Sequence, residues 1–130
     1  MFLDTSGLLS VLSQGEPTHI RACELFDAAI NRLTHNYVLA ELVPLAQTRG
    51  VPRIDARGFE EEIRTGPNVE TVWVDEALHQ AAMDLLRRRL DKTYSLCDAV
   101  SFVLMRQRGI DEALTIDHHF EQEGFRKLLP

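Results

Sequence analysis

A chain of 130 residues, 45% hydrophobic and 26% charged, has the length and balance of one globular domain around one core, and a single domain over residues 1–130 is expected. The net charge of −6 argues against gripping nucleic acid through a broad basic face. Two cysteines, with no C-x-x-C pair and no zinc spacing, exclude a disulfide framework and fit a reducing cytoplasm, and no stretch reads as a signal peptide or a membrane span.

Residues 1–3 read as a very short strand that Asp4 cuts off, and 6–12 as a short helix. Gly15-Glu16-Pro17 is a break, with Pro17 near the start of the next helix. Over 18–33, Ile20, Cys23, Leu25, Phe26, Ala29, Ile30 and Leu33 keep helical spacing and predict one amphipathic helix, followed by a short strand at Thr34-His35. A helix over 37–49 closes at Gly50, and a more polar one over 52–64 stops before Gly66-Pro67. Residues 69–74 alternate and are rich in β-branched side chains, which predicts a strand with Trp73 in the core. Helices follow over 75–90 and over 95–108, the latter closed by Gly109. A strand over 112–116, a short helix over 117–123 and an edge strand over 127–129 complete the chain.

Strands alternating with helices predict an α/β fold with a mostly parallel sheet. In such sheets the functional crevice lies beyond the carboxyl ends of the strands. Asp4 and Asp117 directly follow predicted strands, Asp98 sits in the first turn of a helix and Glu41 in the second turn of another, so all four fall on that side. No lysine or arginine stands within two positions of any of them. Each has a bland alternative: Asp4 and Asp117 as helix caps, Asp98 as the partner of Ser95 in a capping box, Glu41 as a solvated residue. On a helical wheel, however, Asp98 falls between Phe102 and Met105, and Glu41 borders Val38 and Leu45 at the rim of the apolar stripe. A helix N-terminus contributes only about 0.3–1 kcal/mol to an anion, against several kcal/mol to bury one. Grouped carboxylates also repel. Mg²⁺ or Mn²⁺, both oxygen-seeking, would resolve both problems and can activate water toward a phosphodiester.

Four segments in order, Phe2-Leu3-Asp4-Thr5-Ser6, Asn36-Tyr37-Val38-Leu39-Ala40-Glu41-Leu42, Tyr94-Ser95-Leu96-Cys97-Asp98-Ala99-Val100-Ser101-Phe102 and Leu114-Thr115-Ile116-Asp117-His118-His119-Phe120, resemble the PIN domain family, specifically its VapC-like toxin ribonucleases. The resemblance covers nearly the whole chain. It implies a three-layer α/β/α sandwich and a Mg²⁺- or Mn²⁺-dependent endoribonuclease with Asp4, Glu41, Asp98 and Asp117 as metal-binding acids. Thr5 or Ser6, and Thr115, would orient carboxylates or the attacking water, and Ser95 would cap its helix. It also implies an RNA substrate, a small antitoxin partner and a homodimer. Two features depart from the family: only three residues precede Asp4, and His119 stands where some members carry a further acid, which makes single-metal action credible.

The remaining polar residues have plainer readings. Arg87-Arg88-Arg89 and Lys92 suit a helix C-terminus. Arg49, Arg53, Arg57 and Arg64 lie among Glu60, Glu61 and Glu62 on a solvated face. Of His118 and His119, adjacent on a helix, at most one faces the site. Cys97 reads as a small buried apolar residue. Two alternatives to the nuclease are a PIN-like module that binds RNA or protein without cleaving, and an aspartyl-phosphate domain. The second lacks its own signatures: Ser6 stands where a phosphatase wants an aspartate, and no late lysine or early acidic pair supports a receiver.

Overall fold

Five runs of two or three residues supply the sheet in the computed structural model, which describes residues 1–130. In chain order the elements are β1 (Phe2–Leu3), α1 (Thr5–Leu12), α2 (His19–Ala28), β2 (Leu33–His35), α3 (Asn36–Thr48), α4 (Arg53–Thr65), β3 (Glu70–Val72), α5 (Glu76–Arg88), α6 (Leu96–Arg108), β4 (Glu112–Leu114), α7 (His119–Gln122) and β5 (Arg126–Lys127). The strand order is β3-β2-β1-β4-β5 and every pairing is parallel, so the sheet is wholly rather than mostly parallel. Strands so short work because both faces are covered: Phe2, Leu3, Ala113 and Leu114 have no exposed surface.

The chain steps outward from β1 to β2 to β3, then returns across the sheet to β4 on the other side of β1. Right-handed crossovers therefore set α1 to α4 on one face and α5 and α6 on the other. The packing follows: α1 meets α2 and α3, α3 meets α4, and α5 meets α6. The order reverses between β1 and β4, and a crevice opens at the carboxyl ends of strands at such a point. Helix α1 presses close there. A Cβ on Gly7 would lie 1.9 Å from the Leu114 carbonyl oxygen, so only glycine permits this approach.

Helix ends are set locally where the sequence marks them. Ser95 and Asp98 form a reciprocal capping box on α6, and Gly109 closes that helix at φ +65°. The expected helix over 18–33 is wrong in its second half. It stops at Ala28, Ala29 is extended, Ile30 is 93% exposed, and Leu33 is the first residue of β2. Arg32 accounts for the stop: its guanidinium donates to the Phe26 carbonyl at 2.7 Å and the Asp27 carbonyl at 3.3 Å, satisfying carbonyls that another helical turn would have used. Trp73 also departs from expectation. It follows edge strand β3 and is 65% exposed, because the strand ends at Val72 and no layer covers its edge.

Candidate active site

Asp4, Thr5, Ser6, Glu41, Asp98 and Asp117 line one open cleft of about 330 Å³, together with Thr93, Ser95, His119 and a single apolar residue, Leu45. It lies at the switch point between β1 and β4. The four acids come from four places: Asp4 from the end of β1, Glu41 from the second turn of α3, Asp98 from the first turn of α6, and Asp117 from the connection between β4 and α7. The structure thus brings together all the acids singled out from sequence.

Hydroxyls orient these carboxylates. Thr115 Oγ1 donates to Asp4 Oδ2 at 2.7 Å, and Ser6 Oγ reaches the same oxygen at 3.2 Å. The backbone holds both hydroxyls: Asp117 N–H donates to Thr115 Oγ1 at 3.0 Å and Ile116 N–H to Ser6 Oγ at 3.1 Å. Thr5 Oγ1 lies 3.5 Å from Glu41 Oε2. Asp4 occupies the N-cap position of α1 but makes no capping hydrogen bond, so its bland reading fails. Asp98 does cap its own helix. Ser95 N–H donates to Asp98 Oδ2 at 3.0 Å, which fixes the carboxylate while Oδ1 keeps free lone pairs. Asp117 lines the cleft and accepts the His119 backbone N–H at 2.9 Å, while the N-cap position of α7 falls on His118 rather than on Asp117.

The cleft is electrically incomplete. Burial pushes the Asp4 carboxyl up to about 7; the Thr115 hydrogen bond opposes the rise, while Asp98 and Asp117 add to it. Burial also raises Asp98, with Asp117 adding and the Ser95 amide and His119 opposing. Glu41 is raised mainly by desolvation, although part of its side chain reaches the open rim of the cleft. No lysine or arginine pairs with any of the four; Asp98 and Asp117 meet only imidazoles.

Glu123 shows how this fold treats a structural acid. Its side chain is 2% exposed, and Arg89 Nε and Arg106 Nη2 bind its carboxylate at 2.9 and 2.7 Å. Burial alone would raise its pKa, but the two guanidinium groups leave it below the usual carboxylate range. Arg89 is thereby taken out of the basic run that ends α5, as Arg87 is by Asp84 and Lys92 by Asp91.

The donor set suits a hard divalent cation. Oxygen ligands on three or four acids, two of them buried without a counterion, are what such an ion requires and what a protein without one avoids. His119 turns into the cleft with 16% of its side chain exposed, while His118 points out at 69%. Sequence reasoning missed Thr93, whose hydroxyl lies 3.0 Å from His119 Nε2. It also missed His35, a wholly buried ring that ties α3 to α6. His35 Nδ1 accepts the Val38 N–H at 3.3 Å, so Nε2 carries the proton and donates to Ser101 Oγ at 2.9 Å. The only sequence signal for His35 was its place at a strand-to-helix junction, where a cap belongs.

Comparison with known proteins agrees with this fold. The PIN domain family model matches residues 1–125. The 23S rRNA-specific endonuclease VapC20 of Mycobacterium tuberculosis is 31% identical over 131 residues, spanning 100% of this chain and 98% of that protein. The crystal structure of Mycobacterium tuberculosis VapC20, titled a sarcin-ricin loop cleaving toxin, aligns with a TM-score of 0.90 and 32% identity, covering 99% of this chain and 98% of that one.

Proposed function

The chain belongs to the PIN domain family, and from that premise we propose that it is a VapC-like toxin endoribonuclease whose cleft hydrolyses RNA with Mg²⁺ or Mn²⁺ held by Asp4, Glu41, Asp98 and Asp117. One observation carries the reading. The fold satisfies its buried Glu123 with two arginines yet leaves Asp4 and Asp98 in a cleft with no cationic partner other than an imidazole.

An ion held by these acids would supply Lewis-acid polarisation of the scissile phosphate and a water acidic enough to attack at neutral pH. Thr115 and Ser6 fix the Asp4 carboxylate through Oδ2. The capping box fixes Asp98 in the same way, and Asp98 lines the cleft. Glu41, on the more open side, completes the set of acids around the cleft.

The open, polar cleft suits a phosphodiester backbone better than an enclosed small molecule. With a net charge of −6, affinity for RNA is local to the ion and the residues around the cleft. VapC20 supports 23S rRNA as the first substrate to test, specifically the sarcin-ricin loop. The same kinship supports an antitoxin that covers the cleft, a homodimer, a single domain across 1–130 and work in the cytoplasm. No helix is long and apolar enough to cross a membrane.

The test is cleavage of an rRNA fragment carrying the sarcin-ricin loop, beside a scrambled loop. Cleavage should need Mg²⁺ or Mn²⁺, stop in EDTA, and fall by roughly a hundredfold or more in Asp98→Asn. Metal-independent cleavage, or full activity in Asp98→Asn, overturns the proposal. Binding without cleavage would favour a non-catalytic PIN-like module instead.

A further inference from the structure

His119 is placed in the cleft more deliberately than a surface histidine needs to be. It opens α7, and its backbone N–H is already held by Asp117 Oδ1 at 2.9 Å. Its ring Nδ1 lies 3.1 Å from Asp98 Oδ2 and 3.3 Å from Asp117 Oδ1, carboxylates on different elements. The Tyr94 ring stands edge-on at 5.3 Å and restricts the imidazole. Resting on the proposed metal-dependent reading of this cleft, we propose that His119 Nδ1 is a nitrogen ligand of the ion and that it biases the site toward first-row transition ions over Mg²⁺.

Two features support this. Ligands about 2.1 Å from an octahedral ion sit about 3 Å apart along each edge of the octahedron. Nδ1 stands 3.1 Å from Asp98 Oδ2 and 3.3 Å from Asp117 Oδ1, near such an edge from each acid taken singly. A metal-ligating histidine donates its other N–H to a fixed acceptor. Here a partner is present, since Thr93 Oγ1 lies 3.0 Å from Nε2 and can accept its N–H when Nδ1 binds an ion. Nitrogen ligation also carries a chemical consequence. Affinities at mixed nitrogen and oxygen sites rise from Mn²⁺ through Co²⁺ and Ni²⁺, whereas Mg²⁺ favours oxygen alone. The competing reading makes His119 a plain counter-group, donating from Nδ1 to the two acids and bound to no metal.

Pulsed electron paramagnetic resonance on the full chain loaded with Mn²⁺ separates the two, with Asp98→Asn as the control for location. The proposal expects a ¹⁴N modulation that converts to ¹⁵N when histidine is ¹⁵N-labelled, persists in His118→Ala, and vanishes in His119→Ala. By titration, His119→Ala should weaken Mn²⁺ by about tenfold or more and Mg²⁺ by less than about threefold. Thr93→Val should keep the nitrogen signal while weakening Mn²⁺. If His119→Ala fails to fold, the labelled wild type and His118→Ala still decide, because His118 is the other histidine near the cleft. Asp98-dependent Mn²⁺ binding without histidine modulation overturns the ligand role and leaves the carboxylate site standing. A signal that survives His119→Ala or disappears with His118→Ala overturns it too. Absence of any Asp98-dependent Mn²⁺ binding overturns both this proposal and the functional reading beneath it.

Discussion

In the absence of divalent ions, Asp4→Asn should stabilise the protein more at pH 8 than at pH 5, and change it little only below about pH 3.8. The Asp4 carboxyl rises from its ordinary 3.8 to about 7 in the folded protein, so the folded state holds this proton more tightly than the unfolded state does. That stabilisation is fully present below pH 3.8 and is lost as the pH climbs through about 7. A rise of about three units corresponds to about 4 kcal/mol, the most that removing the charge recovers at pH 8. For a domain of this size it amounts to roughly 10–15 °C in Tm. The uncharged amide keeps an oxygen for the Thr115 hydroxyl, so the local bond survives. Differential scanning calorimetry in EDTA at pH 5 and pH 8, repeated in millimolar Mg²⁺, measures the effect. Mg²⁺ should reverse the order at pH 8, stabilising the wild type and leaving the variant nearly unmoved. If Asp4→Asn in EDTA destabilises at pH 8 as much as at pH 5, the charge there is not strained and the reasoning fails.

Gly7→Ala should cost more than about 2 kcal/mol and weaken metal binding together, because its Cβ meets the Leu114 carbonyl and drives the start of α1, with Asp4 and Ser6, away from Thr115; chemical denaturation and Mg²⁺ titration read both. Glu123→Ala takes the shared acid from Arg89 and Arg106, both partly exposed, and should cost about 1.5–3 kcal/mol in denaturant unfolding. His35 is held neutral by burial, its pKa lowered to about 3, so stability it contributes above pH 6.5 drains away as the pH falls toward 3. His35→Asn can still cap α3 but gives up the Ser101 bond and the ring packing on Phe2; it should cost about 2–3 kcal/mol at pH 7 and flatten the acid limb of the stability curve.

Much of this site could be read from one chain because its acids sit at junctions that local chemistry marks. Asp4 directly follows the strand residue Leu3, Asp98 lies three residues after Ser95, and Gly109 ends the buried helix that Asp98 opens; Asp117 lies three residues beyond Leu114, because β4 ends two residues earlier than the expected strand over 112–116. The errors arose where tertiary contact decides. The apolar spacing does not stop α2 at Ala28, because it runs on through Ile30 and Leu33. The stop comes from Arg32 and from β2 pairing with β1 and β3. Alternation put Trp73 inside, but alternation cannot tell an edge strand from a central one. His35 and Glu123 were invisible as buried groups, since burial of a polar side chain depends on partners that are distant in sequence, Ser101 for one and Arg89 for the other.

The most direct test of the account is anomalous diffraction from crystals grown with Mn²⁺, with data collected at the manganese edge. The account predicts a peak within bonding distance of Asp4 and Asp98, absent from crystals of Asp98→Asn. Manganese density only at surface acids, or a cleft that stays without it while Asp4 and Asp98 hold only protein hydrogen bonds, would contradict it.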